Sequence, residues 1–214
     1  MINLKTKILF SILTIALITG CSTKEQEYNK PASYWYNKMI QQIANYRLDE
    51  ADETYTSLES EHRRSILLPS ALMIIANAHI DDEEYMMANY YLDEYMKKYS
   101  TKKDIDYVEF LKIKSNFLAF KNQFREQELI MKTLQEVELF LRKYPNSQYV
   151  YLVNTIKARL LMAKAIFDKE IADLYGRVDK PQAQEFYNEK AKKSWDKPEN
   201  IEPVDVPWYR WLFE

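Results

Sequence analysis

The sequence predicts an all-α protein, a solenoid of tetratricopeptide-like helical hairpins in about four repeats, followed by an irregular aromatic C-terminal tail. Three observations predict it. From Ser33 onward, apolar residues recur at intervals of three and four, the period of a helix. Only Gly20 and Gly176 are glycine in 214 residues, so hairpin-rich β folds lack their turn residues. Equivalent positions in successive segment pairs lie 37 and 42 residues apart, slightly more than the roughly 34 of a tetratricopeptide repeat.

Residues 1–20 read as a secretory signal. Lys5 and Lys7 precede the apolar run Ile8–Ile18, which as a helix of roughly 16 Å is about half the thickness of a bilayer core. Ile18-Thr19-Gly20-Cys21 resembles a bacterial lipobox, which implies cleavage before Cys21 and acylation of that residue. The alternative is an uncleaved anchor with an incidental cysteine. Against it, the chain's single cysteine stands at the one position the motif requires. Residues 21–32 are polar and aperiodic and read as a tether.

The solenoid is expected over 33–193. Helix 33–45 carries Trp35, Ile40 and Ile43, and 48–61 carries Ala51, Tyr55 and Leu58. Helices 69–80 and 83–99 carry Leu72, Ile75 and Ala76, then Ala88, Leu92 and Tyr95. Helices 105–120 and 125–144 carry Val108 and Leu111, then Ile130, Leu134 and Val137. Superposing the second helices aligns Ala51, Ala88 and Ile130, where a small residue suits a close helix crossing. Trp35 falls on the repeat's tryptophan position. Pro69 and Pro181 stand where a first-turn proline is tolerated. Pro145 separates the third repeat from the fourth, with Asn146 or Ser147 as cap. The fourth repeat runs from Gln148 to about Arg177, as one long helix or two nearly collinear ones stopped by Gly176, and then from Pro181 to Lys193.

Composition excludes several classes of function. With 30 Lys+Arg against 32 Asp+Glu, the net charge of -2 offers nothing to nucleic acid. Glycine-rich phosphate loops have no raw material. One cysteine excludes an intrachain disulfide, and His62 and His79 lack the spacing of a zinc site. His79, near Asp81 and Asp82, reads as a surface or groove histidine. No nucleophile has an adjacent base. The expectation is a non-enzyme with no cofactor and no metal.

Ile105-Asp106-Tyr107-Val108 opens the third repeat and Tyr144-Pro145-Asn146-Ser147-Gln148-Tyr149 links it to the fourth. Lys157, Arg159 and Leu160, then Ala172, Asp173 and Tyr175, follow in order. On these motifs the chain from Cys21 to about residue 190 resembles the BamD family, the tetratricopeptide-repeat lipoproteins of outer-membrane β-barrel assembly. The resemblance implies a Gram-negative outer membrane, reached through acylated Cys21, with the domain on the periplasmic face. Ser22 after the cysteine agrees with that sorting. It also implies two kinds of partner: unfolded outer-membrane protein clients, and a BamA-like barrel-forming subunit met through its POTRA domains.

Within the repeats, first helices line the concave face of such a solenoid. By phase, Tyr36, Ile40, Met73, Asn77 and Ile80 are candidates for a client groove, the alternative for each being core packing or idle surface. The chain departs from the family in a short Lys121–Gln127 connection and in lacking a full fifth repeat. Residues 194–214 instead form a proline-rich linker and an aromatic tail with Trp208, Tyr209, Trp211 and Phe213, which either caps the solenoid or docks a partner. The competing function is an envelope structural lipoprotein that anchors peptidoglycan or a pilus or secretion assembly.

Overall fold

The computed structural model describes residues 27–122 and 127–197. Among these residues the chain is all helix: α1 Ala32–Ala44, α2 Leu48–Glu61, α3 Leu68–Asp81, α4 Tyr85–Lys98, α5 Ile105–Asn122, α6 Gln127–Lys143, α7 Val150–Arg177 and α8 Pro181–Ser194. Consecutive helices pack as four hairpins, each stacked on the next. Each bound falls within two residues of the one the apolar period predicts. The acylation position Cys21 and the aromatic tail lie outside the described residues, as does part of the Lys121–Gln127 connection.

The small positions are where the repeat phase puts them. Ala51 and Ala88 are 0% exposed and Ile130 1%. One apolar cluster runs from Trp35 in α1 to Leu160 in α7. Trp35 is buried in it, with its indole Nε1 donating to Glu61 Oε2 at 2.9 Å. A polar chain crosses the second junction and continues into the third hairpin: Asn89 of α4 donates to Asn116 of α5 (2.8 Å), which donates to Glu136 of α6 (2.7 Å).

With almost no glycine, the hairpin turns use other residues in the left-handed region. Tyr46 (φ 56), Glu83 (φ 64) and Asp179 (φ 53) each stand two residues beyond the end of a first helix. Each turn closes with the same bond pair of a Schellman motif. Arg47 N–H donates to Gln42 C=O, Glu84 to His79 and Lys180 to Tyr175, at 2.8–3.0 Å, with a shorter-range bond beside each. The expectation that Gly176 stops the fourth repeat's first helix is corrected here: Asp179 takes the left-handed position. Gly176 lies within the helix, where a Cβ would stand 2.6 Å from Nε2 at the end of the flexible Gln184 side chain of α8 and would displace that amide. Capping by Asn146 or Ser147 is corrected as well. The helix begins later, at Val150, and Ser147 Oγ accepts from Tyr149 N–H while donating to Asp106 of α5.

The fourth hairpin is built differently from the first three. α7 is one unbroken helix of 28 residues. Its second half meets α8 through the small residues Ala165, Ala172 and Ala191, all buried. Tyr175 stacks on Tyr187 with centroids 5.5 Å apart. Asp168, also buried, accepts from Lys164 at 2.6 Å and pairs with Lys190 of α8 at 3.4 Å, and Lys164 also donates to Ser194.

Candidate functional site

The first helices of three hairpins build an open cleft of about 510 Å³. Ile43 comes from α1; Met73, Ile74, Asn77, Ala78 and Asp81 from α3; Tyr107 and Val108 from α5. Tyr95 of α4 and Asp104, just ahead of α5, complete it. The helical period explains the α3 set, because residues three and four apart share a face.

Of the five groove candidates, Met73 and Asn77 line this cleft. Tyr36 and Ile40 are half-buried against the core along α1, and Ile43 is that helix's contribution to the cleft. Ile80 is a correction. It is 4% exposed and belongs to the core cluster with Ile75 and Ala76. It stands four residues beyond the buried Ala76, so the helical period turns it to the core face of α3, while Asp81, one residue on, lines the cleft.

Asp104 and Tyr95 are the lining residues that apolar periodicity misses. Tyr95 Oη donates to Asp104 Oδ2 at 2.5 Å, and Thr101 gives Oδ1 both its backbone N–H (2.6 Å) and its hydroxyl (2.8 Å). Burial alone raises the Asp104 pKa, but the hydrogen bonds from Tyr95 and Thr101 outweigh it and hold the carboxyl below its ordinary value. Burial, then the bond to Asp104, pushes the Tyr95 hydroxyl up to about 12. The Thr101-x-x-Asp104 spacing before a helix was the available signal.

His79 is neither on the surface nor in the groove. It is 1% exposed, on the opposite face of α3, at the junction between the first two hairpins. Nδ1 faces Glu84 Oε2 at 2.6 Å and Nε2 faces Asp52 Oδ1 at 2.9 Å. Two carboxylates on two ring nitrogens require both to carry protons. Burial lowers the imidazole pKa, but the bonds and charges of Asp52 and Glu84 override it and leave the pKa raised. Tyr91 of α4 stacks on the ring at 5.4 Å and donates its hydroxyl to the same Asp52 oxygen at 2.7 Å. Its carboxylate partners are not the neighbouring Asp81 and Asp82 but Glu84 and Asp52 of α2. His62 Nε2 lies 2.7 Å from the Lys30 carbonyl. Among the described residues no three acid, histidine or cysteine side chains are grouped to hold a metal ion.

A model of the YfiO family, described as outer membrane lipoprotein, matches residues 28–184. The chain belongs to the YfiO/BamD family. A curated relative, "Outer membrane protein assembly factor BamD" of Helicobacter pylori (strain ATCC 700392 / 26695), is 35% identical over 215 residues, covering 99% of this chain and 98% of that one. The helical-hairpin solenoid is therefore a BamD-type fold, and the family is one of outer-membrane assembly factors without enzymatic activity.

Proposed function

We propose that this chain is an outer-membrane protein assembly factor that holds unfolded β-barrel clients on its first-helix face and couples them to a BamA-like barrel-forming subunit. The observation that carries the reading is the cleft shared by α1, α3 and α5 in a chain matched over its length by an assembly factor. An open apolar face spanning several repeats suits an extended, unfolded segment, since tyrosine and methionine adapt to varied apolar side chains. The later repeats are assigned to the POTRA domains of the barrel-forming subunit, following the family resemblance. Affinity purification from outer membranes tests this. Recovery of a POTRA-bearing barrel protein with unfolded clients is the expected result. Recovery of cell-wall fragments or a pilus secretin without it would support the structural-lipoprotein alternative.

Acylated Cys21 is assigned as the anchor on the periplasmic face of the outer membrane, because several acyl chains on one residue hold durably. Cys21→Ser should leave an uncleaved precursor or a soluble protein, checked by fractionation and N-terminal processing. Normal processing and release by detergent alone would contradict it.

The tail is assigned as a cap. Leu174, Val178 and Phe186 leave apolar surface open on the last hairpin, and an uncovered solenoid end is poorly soluble. Deleting residues 207–214 should lower the melting temperature and cause aggregation. Unchanged stability with loss of the barrel-forming partner would make the tail a docking peptide instead.

A further inference from the structure

We propose that the cleft selects client segments in which a large apolar side chain stands two residues from a lysine or arginine. This deepens the client-binding reading and rests on it. The volume, about 510 Å³, lies within the roughly 300–1,000 Å³ of ordinary ligand pockets, so it accepts one or two side chains rather than a folded surface. Its floor is apolar, formed by Ile43, Met73, Ile74 and Val108. Among the described residues its charges are all of one sign: Asp81 and Asp104 line it, and no lysine or arginine does.

The two acids differ in what they have left to offer. Asp104 is bound by Tyr95 and Thr101, which keep it ionised and fixed in place. Asp81 is exposed, and its side chain has no hydrogen bond or ion pair among the described residues. An apolar segment laid over this floor would strip water from Asp81 without replacing it, which disfavours binding. A cation at the rim supplies the missing partner.

The register follows from the helix. Asp81 lies seven residues beyond Ile74, roughly 10 Å along α3 at 1.5 Å per residue. Alternate side chains of an extended peptide share a face and repeat about every 7 Å. A long basic side chain two positions from the buried apolar residue therefore spans the remainder. An acid at that position meets two carboxylates of like sign.

Fluorescence polarisation with the full-length mature protein in detergent tests this. The probes are ten-residue peptides with one phenylalanine, identical except for Lys, Gln or Glu two positions away. The expected affinity order is Lys, then Gln, then Glu, with Lys about five-fold tighter than Gln at low salt, as for a partly exposed ion pair. Asp81→Asn should bring that ratio down toward one, and the Gln peptide should bind the variant at least as tightly, because an uncharged amide costs less to strip of water. Asp81 is on the surface, so an unaltered melting curve is expected for the variant. A Lys preference that persists in Asp81→Asn overturns the proposal. Equal binding of all three peptides, lost in Asn77→Trp, overturns the cation preference but keeps the client reading. No binding of any peptide, or binding indifferent to Asn77→Trp, removes the client reading with it. Tighter binding of all three after deletion of 207–214 places the chain's own tail in the cleft and overturns a client as its occupant.

Discussion

The two ends of the solenoid each hold a carboxylate between helices, and they hold it in different ways. At the first junction Asp52 meets His79 and Tyr91 beneath a thick apolar layer of Tyr55, Leu58, Leu72 and Leu92. In the last hairpin Asp168 meets Lys164 and Lys190 where alanines bring α7 and α8 close and the large-residue core has ended. Exposure separates them further. The side chains of Asp52 and Glu84 are 24% and 45% exposed, so water reaches them when their partner is lost. Asp168 is 6% exposed and its near lysine 19%. The first knot sits between repeats and sets how α2 meets α3. The second sits within a repeat and closes its hairpin. A polar group in a deep apolar core is therefore an adjustable element here, and one in a thin core is a necessary clasp.

The largest effect that tests this contrast is expected at the clasp. Asp168→Ala leaves Lys164 half-buried without its partner and should cost about 3 kcal/mol, the lower end for breaking a buried pair. Chemical denaturation checks it, and a loss below that of His79→Gln would erase the contrast.

His79→Gln should cost less, about 1–2 kcal/mol, because both acids rehydrate. Its signature is a dependence on pH. The folded pKa of His79 is raised above its ordinary 6.5, so its contribution is fully present below that value. The contribution is lost as pH rises through the folded pKa. Melting temperature should therefore fall as pH increases above about 6.5, and the fall should flatten in His79→Gln. Parallel melting curves of wild type and variant across that range would show that the histidine does not carry the charge.

The smallest effect concerns the turns. Tyr46 holds φ 56 with its ring 89% exposed, so a glycine there loses no contact. Tyr46→Gly should stabilise by about 0.5–1 kcal/mol, since glycine adopts the left-handed region without the Cβ clash. A destabilised variant would mean that the tyrosine makes up its strain elsewhere.

Much of the fold was legible because the apolar period is strong and helix breakers are few. The alignment of Ala51, Ala88 and Ile130 recovered the crossings, and Trp35 its buried site. What escaped was long-range or polar. His79 had two acids next to it in sequence, yet its partners are Glu84 across a turn and Asp52 on another helix. Phase alone carried the groove to Ile80, which shares the core face of α3 with Ala76 four residues before it. Tyr95 entered the cleft from a second helix because its hydroxyl reaches Asp104 of the next repeat. Gly176 looked like a helix stop because glycine usually is one, but Asp179 took the left-handed position three residues later.

In-cell photo-crosslinking tests the central claim most directly, that the first-helix face receives unfolded clients. A photoreactive residue would replace Asn77 in the cleft and, as control, Met86, which is 87% exposed on the second helix α4. The account predicts adducts with newly exported outer-membrane proteins at Asn77 and none at Met86. Adducts at Met86 with none at Asn77 would contradict it.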